Sequence, residues 1–108
     1  MSNLAEIQKE MFDKEELMIE MADVFWALAS ECRIEIIYLL LYTPSLPSGE
    51  IGRLTNCTPS QISQYLSKMY SAGILTKSRS WREVEYALNT EDPFVQGIIS
   101  LLSFYLKK

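Results

Sequence analysis

The chain has 108 residues, of which 48% are hydrophobic and 22% are charged, a composition typical of one globular domain rather than of a disordered segment. It contains no histidine and two cysteines, so it lacks the commonest general base and has neither a disulfide framework nor a zinc-binding spacing. No secretory pattern opens the chain, and no apolar segment reaches the roughly 20 residues of a membrane span. We therefore expect a cytoplasmic protein that is not an enzyme and that binds no metal or cofactor.

The net charge of −4 is unevenly distributed along the chain. Residues 1–31 contain eight acidic residues and two lysines, whereas residues 51–82 contain five basic residues and no acid. A phosphate-binding surface needs only a local positive potential, because salt screens charges beyond about 8–10 Å. The acidic total therefore does not exclude nucleic acid, although a simple solvated face is the alternative interpretation of the basic run.

The first half of the chain reads as a series of helices. Apolar spacing predicts one helix over about Asn3 to Phe12, and a capping-box pattern at Asp13 predicts the start of a second. Ser30 resembles the N-cap of a third helix, whose segment RIEIIYLLLY is apolar on nearly every side and should be buried. The prolines and glycine of TPSLPSGE predict a loop, after which Ser48 can cap a short helix.

The segment TPSQISQYLSKMYSAG predicts a helix with an unusual outer face. Thr58 and Gln61 form a second capping-box pattern, Pro59 occupies the first helical position, and Gly73 marks the end. Serine is a mediocre helix former, so an ordinary surface helix would favour Glu, Lys and Ala. The inner face holds Ile62, Leu66 and Met69, and the outer face holds Ser60, Gln64, Ser67 and Ser71, flanked by Gln61, Ser63 and Lys68. Such hydroxyls and amides can form hydrogen bonds with the edges of DNA bases. The alternative interpretation is a solvent-exposed helix face that binds nothing.

The last third of the chain predicts a hairpin and a final helix. The segment ILTKSRSWREVEYAL alternates as a β-hairpin with its tip near Ser80 and Trp81. The inward candidates are Ile74, Val84, Tyr86 and Leu88. Asp92 and Pro93 then begin a helix that is apolar on nearly every side, and a second copy of the chain is its simplest partner.

Together these elements predict a mostly α fold with a small β-hairpin, which is a winged helix-turn-helix that dimerises through its N- and C-terminal helices. We predict a single domain over residues 1–108. Residues 1–29 form N-terminal dimerisation helices, 31–72 the helical core with the helix-turn-helix, 73–89 the β-wing, and 92–108 the C-terminal dimerisation helix.

The segments FWALASECRIEIIYLLL and SGEIGRLTNCTPSQISQYLSKMYSAGILTKSRSWREVEYAL resemble the ArsR-type family of dimeric winged-helix transcriptional repressors, over about residues 22–88. The firmest parts are ALA at 27–29 followed by Arg33, the segment SQISQYLSKM, and AGIL running into the wing. The resemblance implies a prokaryotic or viral regulator whose helix over residues 59–72 enters the major groove. It further implies that the hairpin contacts the flanking DNA backbone and that the terminal helices pair two subunits.

The resemblance also implies roles for individual residues. Ser60, Gln61, Ser63 and Gln64 would face bases, while Lys68, Arg79 and Arg82 would face phosphates. We add to the DNA-binding candidates Thr58, Ser67, Lys77 and Trp81, which lie on the same helix and wing. Trp81 stands where relatives often have glycine or charge, and it either wedges beside a sugar, packs on a partner or packs back on its own hairpin. The cysteine pairs and histidine–carboxylate sets of metal-sensing relatives are absent at the matching positions.

The two cysteines admit more than one interpretation. Cys32 begins the predicted central helix and Cys57 directly precedes the predicted recognition helix. Buried, inert thiols are the preferred interpretation, because free cysteine behaves as a small hydrophobe. A redox-sensitive pair, within or between subunits, is the alternative, and the distance between the sulfur atoms decides between them.

The leading functional hypothesis is a homodimeric regulator, most simply a repressor, that binds a specific and palindromic double-stranded DNA sequence. The alternative is a winged-helix protein–protein adaptor without specific DNA binding, which would use Trp81 and the acidic N-terminal helix as its contact surface. Salt discriminates the two hypotheses, because phosphate contacts weaken steeply with ionic strength and apolar protein contacts do not.

Overall fold

A computed structural model describes residues 3–107, so residues 1, 2 and 108 of the predicted terminal dimerisation segments lie outside the described residues. Within residues 3–107 the chain forms six helices and one three-stranded sheet, in the order of a winged helix-turn-helix. The elements are α1 (Leu4–Asp13), α2 (Glu15–Trp26), α3 (Glu31–Tyr42), β1 (Leu46–Pro47), α4 (Ser48–Leu54), α5 (Pro59–Ser71), β2 (Leu75–Ser80), β3 (Glu83–Leu88) and α6 (Pro93–Leu106).

Side-chain caps start several helices where the sequence predicts them. The Oγ atom of Ser30 accepts the backbone N–H of Arg33 at 3.3 Å and opens α3. The Oδ1 atom of Asp92 accepts the backbone N–H groups of Phe94 and Val95 at 2.8 and 3.3 Å and opens α6. Each cap satisfies backbone donors that have no partner inside the helix, which fixes the first turn.

Two predicted caps are wrong. Helix α1 continues through Asp13, and the N–H of Lys14 donates to the carbonyl of Met11 at 3.1 Å, so Asp13 is helical and does not cap α2. Helix α2 starts directly after Lys14 without a side-chain cap. Ser48 is the first residue of α4 rather than its N-cap, because Pro47 takes the extended cap conformation at the end of β1.

The wing is a three-stranded antiparallel sheet in the order β1-β3-β2. Strand β3 lies in the middle, and Tyr86 pairs with Lys77 of β2 on one side and with Leu46 of β1 on the other. Strand β1 falls in the segment predicted as a loop. It was missed because a two-residue edge strand that contains proline carries no alternating pattern, and an edge strand tolerates proline.

The hydrophobic core lies between the helix-turn-helix, the base of the wing and α6. It includes the fully buried pair Ile36 and Ile37 of α3. The other buried apolar residues come from every helix except α1 and from the base of the wing, and they include Val24, Leu40, Ile51, Ile62, Leu66, Met69, Ile74, Leu75, Leu88, Val95 and Ile98. Tyr38 and Tyr42 are exposed, so α3 is not buried all round as predicted. Val84 is also exposed, because it lies toward the wing tip and beyond the reach of the core.

Candidate nucleic-acid interface

Both ends of helix α5 are fixed by local hydrogen bonds. At its start Thr58 Oγ1 accepts the backbone N–H of Gln61 at 3.1 Å, and Gln61 Oε1 accepts the backbone N–H of Thr58 at 2.9 Å. At its end the N–H of Ile74 donates to the carbonyl of Met69 at 2.9 Å across Gly73, whose φ of +79° suits glycine. The predicted capping box and glycine stop are confirmed, and α5 has a defined beginning and end.

Helix α5 packs against the core with one face and presents a polar face to solvent. Ile62, Leu66 and Met69 are buried. The exposed residues of the helix include Ser60, Ser63, Gln64, Ser67, Lys68 and Ser71, and Thr58 at the cap is exposed as well. Because the buried face holds the helix in place, the polar side chains project from a fixed support. The structure therefore brings most of the predicted base-facing residues together on one surface.

Gln61 is the exception among those residues. It is half-buried, and its side-chain oxygen is occupied by the backbone N–H of Thr58. The capping box therefore removes the acceptor that a glutamine needs for paired hydrogen bonds with an adenine edge. In this conformation Gln61 secures the helix start, and Gln64 is the exposed glutamine.

The turn before α5 is tied to helix α3 in two ways. The backbone N–H of Asn56 donates to Glu35 Oε1 at 2.7 Å, and Cys57 forms a disulfide bond with Cys32, with the two Cα atoms 5.4 Å apart. The preferred interpretation of two free, inert thiols is therefore wrong. The pairing depends on packing α4 and α5 against the start of α3, which a separation of 25 residues in sequence does not reveal.

A cluster of aromatic and cationic side chains braces α5 on its other side. Arg33 is only 7% exposed, its Nε donates to the carbonyl of Trp26 at 2.9 Å, and its Cζ lies 3.9 Å from the Trp26 ring centroid and 4.8 Å from that of Tyr65. The rings of Trp26 and Tyr65 meet edge to face at 5.8 Å. Sequence reasoning singled out Arg33 only through the family resemblance, and nothing pointed to Trp26 or Tyr65 as its partners.

Two of the predicted DNA-binding residues, Lys68 and Lys77, lie on aromatic rings. Lys68 Nζ is 4.3 Å from the ring centroid of Trp26, and Lys77 Nζ is 4.3 Å from that of Tyr70. Both lysines remain exposed, so their charges face solvent while cation–π contacts limit their motion. Lys77 also connects β2 to α5, because Tyr70 belongs to that helix.

Arg79 and Arg82 are the arginines of the wing, near its tip. Both are exposed, and among residues 3–107 no carboxylate lies within ion-pair distance of either guanidinium. The nearby Glu85 accepts a hydrogen bond from Ser45 Oγ at 2.8 Å. By contrast Arg53 of α4 forms a 2.7 Å ion pair with Glu50, and this hydrogen bond holds the pKa of the Glu50 carboxyl below its ordinary value. Arg79 and Arg82 therefore contribute more available positive charge than Arg53.

Trp81 occupies the tip of the hairpin and is 84% exposed. Its φ is +57°, a left-handed conformation that bulky residues rarely adopt, and Arg82 Cζ lies 4.5 Å from the centre of its ring. The alternative in which this ring packs back on its own hairpin is therefore wrong. A large apolar ring is displayed at the wing tip with a guanidinium beside it.

A second surface combines the exposed apolar side chains of α1, α2 and α6, which we call the terminal apolar surface. Helix α1 buries no residue within the chain, α2 buries only Val24, and α2 packs against α6. The residues of this surface include Leu4, Ile7, Met11, Phe12, Leu17, Met18, Ile19, Phe25, Leu101, Phe104, Tyr105 and Leu106. Burial of exposed apolar side chains against another molecule is energetically favourable.

Two further observations concern metals and membranes. Across the described part of the chain, no group of three or more His, Cys, Asp and Glu side chains is arranged to hold a metal ion. None of the helices within residues 3–107 has the length and apolar character needed to cross a membrane.

Comparison with known proteins confirms the resemblance seen in the sequence. Residues 30–77, which cover α3, α4, α5 and the start of β2, match the family model described as bacterial regulatory protein, arsR family. The chain is also 29% identical over 76 residues to the HTH-type transcriptional regulator YgaV of Escherichia coli, a match that covers 70% of this chain and 75% of the relative.

Solved structures have the same fold. The transcriptional repressor PagR of Bacillus anthracis is 28% identical, with a TM-score of 0.67 and coverage of 82% of this chain and 98% of that one. A homodimeric winged helix-turn-helix DNA-binding domain from Mycobacterium bovis is 24% identical, with a TM-score of 0.73 and coverage of 87% and 84%. PagR is named as a transcriptional repressor, which supports the prediction that this chain is not an enzyme.

Proposed function

We propose that this chain is a winged-helix transcriptional regulator of the ArsR type, a homodimer that binds a specific double-stranded DNA sequence and represses transcription. The observation that carries the proposal is the exposed hydroxyl and amide face of α5, which lies opposite the buried face of the same helix. A helix supported in this way fits the major groove of B-DNA, where each base pair presents a distinct set of donors and acceptors.

In this proposal the residues divide by what they touch. Gln64 pairs with an adenine edge, the hydroxyls of Ser60, Ser63 and Ser67 contact bases of either type, and Thr58 lies at the helix start. The cations Lys68, Lys77, Arg79 and Arg82 contact phosphates, which sets affinity and register without reading sequence. Trp81 lies against a sugar or a base step beside the wing. Gln61 acts through the capping box instead of through a base.

The terminal apolar surface is the proposed dimer interface. The Mycobacterium bovis relative is homodimeric, and burying the exposed apolar residues of α1, α2 and α6 against a second copy would remove them from water. A two-fold dimer presents two copies of α5, so the target is an imperfect palindrome with half-sites about one helical turn apart. Repression rather than activation is supported by PagR, which is named as a repressor. The proposed site of action is the cytoplasm, where bacterial DNA lies.

The test is selection of bound fragments from random duplex DNA, followed by binding titrations at several salt concentrations. The proposal expects an enriched palindromic sequence bound at least about 10³-fold more tightly than random DNA. Binding no tighter than about 10⁻⁴ M at low salt, which is weaker than ordinary non-specific affinity, refutes it.

A protein–protein adaptor is the second candidate function, and the exposure of Trp81 is the observation that favours it. Exposed tryptophans are enriched at the centres of protein interfaces. An adaptor would retain its partner in high salt and would show no preference among duplexes, so the same titrations separate the two functions.

A further inference from the structure

The disulfide bond between Cys32 and Cys57 connects the first turn of α3 to the residue immediately before the cap of α5. The hydrogen bond from the backbone N–H of Asn56 to Glu35 joins the same turn to α3. Opening the disulfide therefore removes the covalent link between α3 and the start of the proposed recognition helix, and leaves weaker contacts such as the Asn56 hydrogen bond at this point.

The two sulfur-bearing residues differ in their access to solvent. Cys32 belongs to the core cluster and is 9% exposed, whereas Cys57 is half-buried. Cys57 also lines an open pocket of about 560 Å³ between α4 and α5, together with Gly49, Gly52, Ile62 and Ser63. That volume falls within the range of about 300–1,000 Å³ that small-molecule sites occupy. A reagent in the pocket meets Cys57 first.

From this geometry we propose that Cys57 is a thiol-exchange site for low-molecular-weight thiols, and that opening the disulfide there lowers the affinity of the protein for DNA. A thiolate in the pocket attacks Sγ of Cys57 and forms a mixed disulfide with it. The bond between the two protein sulfurs breaks, and its electron pair leaves on Sγ of Cys32, which then takes a proton from water. A second thiol attacks the small-molecule sulfur, releases the oxidised thiol dimer and leaves Cys57 as a thiolate.

The position of Cys32 favours this direction of attack. Cys32 lies in the first turn of α3, and the N-terminus of a helix stabilises negative charge. A sulfur that leaves more readily as a thiolate speeds exchange at its partner. The greater solvent access of Cys57 and the readier departure of the Cys32 sulfur as a thiolate therefore both favour attack at Cys57.

The consequence for DNA rests on the proposed function, since it requires α5 to be the recognition helix. With the disulfide closed, the cap of α5 is held in one position before DNA arrives. With the disulfide open, the turn at residues 55–58 has to be ordered again on binding, and that ordering weakens association.

Mass spectrometry tests the exchange site without reference to DNA. Protein with the disulfide intact is incubated with reduced glutathione, quenched with acid, treated with N-ethylmaleimide and digested with trypsin, which separates Cys32 and Cys57 into different peptides. We expect glutathione on the Cys57 peptide and N-ethylmaleimide on the Cys32 peptide. Glutathione on Cys32 instead overturns the proposal, as does a disulfide that reacts in urea-unfolded protein and not in folded protein.

A pair of matched variants tests the role of the pocket. A Cβ atom on Gly52 would lie 3.7 Å from Cγ1 of Ile62, an ordinary contact, so Gly52→Leu adds bulk inside the pocket. We expect this variant to slow glutathionylation of Cys57 by roughly tenfold or more, because exchange depends on access to the attacked sulfur. Ala5→Leu adds similar bulk on exposed α1 and should leave the rate unchanged. Equal rates in the two variants contradict entry through the pocket.

A binding titration compares the DNA affinity of the disulfide-bonded protein with that of the reduced protein, on the duplex enriched by selection from random DNA. We expect the reduced wild type, Cys32→Ser and Cys57→Ser to bind roughly three- to tenfold more weakly than the disulfide form, which is a modest cost of ordering one turn. Equal affinities overturn the proposed link to DNA. If neither form binds any duplex, the proposed function fails, while glutathione on Cys57 still supports the exchange site, so the two failures are distinguishable.

Discussion

The guanidinium of Arg33 lies over the ring of Trp26, with Cζ 3.9 Å from the ring centroid, while its Nε donates a 2.9 Å hydrogen bond to the carbonyl of Trp26. This one side chain therefore holds the end of α2 against α3, and through Tyr65 it also holds α5. Among residues 3–107 no carboxylate pairs with this buried arginine, which is stabilised by two aromatic rings and a backbone oxygen.

Removing this charge should destabilise the fold. We expect Arg33→Met, which keeps the bulk of the side chain, to lower the free energy of unfolding by about 2 kcal/mol through loss of the cation–π contacts and the charged hydrogen bond. Urea denaturation measures the change. Lys68→Met removes the exposed cation on the same ring and should cost less than about 1 kcal/mol. Equal costs for the two variants would contradict a bracing role for Arg33.

The terminal apolar surface predicts how the dimer can be broken without unfolding the subunit. Ile7→Asp on α1 and Leu101→Asp on α6 change side chains that are 48% and 45% exposed in the single chain. Each should raise the dimer dissociation constant by about 100-fold or more, because a two-fold interface buries the new charge twice.

Sedimentation velocity and circular dichroism together test this prediction. The matched control is Leu54→Asp on α4, where the original side chain is equally exposed at 46% but lies outside the terminal apolar surface. The control should remain dimeric. A wild-type protein that sediments as a monomer at all concentrations would reject the proposed interface.

Gln64 and Gln61 should behave differently although they are three residues apart on one helix. Gln64→Ala should cost about 1–3 kcal/mol on the selected duplex and little on random DNA, because its exposed amide is the proposed base contact. Gln61→Ala should weaken both duplexes alike and lower the stability of the protein by about 0.5–1 kcal/mol, because it opens the capping box. Competition titrations and thermal unfolding separate the two effects, and a selective loss in Gln61→Ala would restore that residue as a base reader.

The wing arginines should control the salt dependence of binding. Arg79→Ala or Arg82→Ala should weaken specific and random duplexes equally and flatten the plot of log affinity against log salt by about two units per dimer, since each half loses one phosphate contact. Arg53→Ala is the control, because Arg53 is already paired with Glu50 and should change the slope little. Unchanged slopes in all three variants would place the wing away from the DNA backbone.

Trp81 should show opposite effects on stability and on binding. Trp81→Gly relieves a left-handed backbone and should raise the free energy of unfolding by about 0.5–1 kcal/mol, after allowance for the greater chain entropy of glycine. The same change removes the exposed ring and should weaken DNA binding by about 1–2 kcal/mol. Chemical denaturation and anisotropy measure the two quantities. If Trp81→Gly lowers the free energy of unfolding and leaves DNA affinity unchanged, the ring stabilises the hairpin and does not contact DNA.

Features that depend on neighbouring residues could be predicted from the sequence. The capping box of Thr58, the Asp92 cap and the Gly73 stop each need only residues within a few positions, and all three are present. The polar face of α5 was equally predictable, because helical periodicity alone separates it from the buried Ile62 and Leu66.

Contacts between distant residues could not be predicted in the same way. The disulfide of Cys32 with Cys57 and the contact of Lys68 with Trp26 both require α5 to be packed on the earlier helices first. Gln61 illustrates a further limit, since one side chain was assigned two roles that compete for the same oxygen atom. The sequence pattern predicts both the capping role and the base-contacting role, and only the folded structure shows that Gln61 Oε1 is occupied by the N–H of Thr58.

The short strand β1 has a mechanical consequence for the wing. It pairs with β3 only at Glu85 and Tyr86, so the root of the wing is three strands wide, whereas from Val84 to the tip it is a two-stranded ribbon. The root is therefore stiff and keeps a fixed offset from α5, while the ribbon beyond it bends more easily. In the proposed DNA complex, a wing built in this way follows grooves of different width without disturbing α5, so the proposed dimer accommodates operators with unequal flanking sequences.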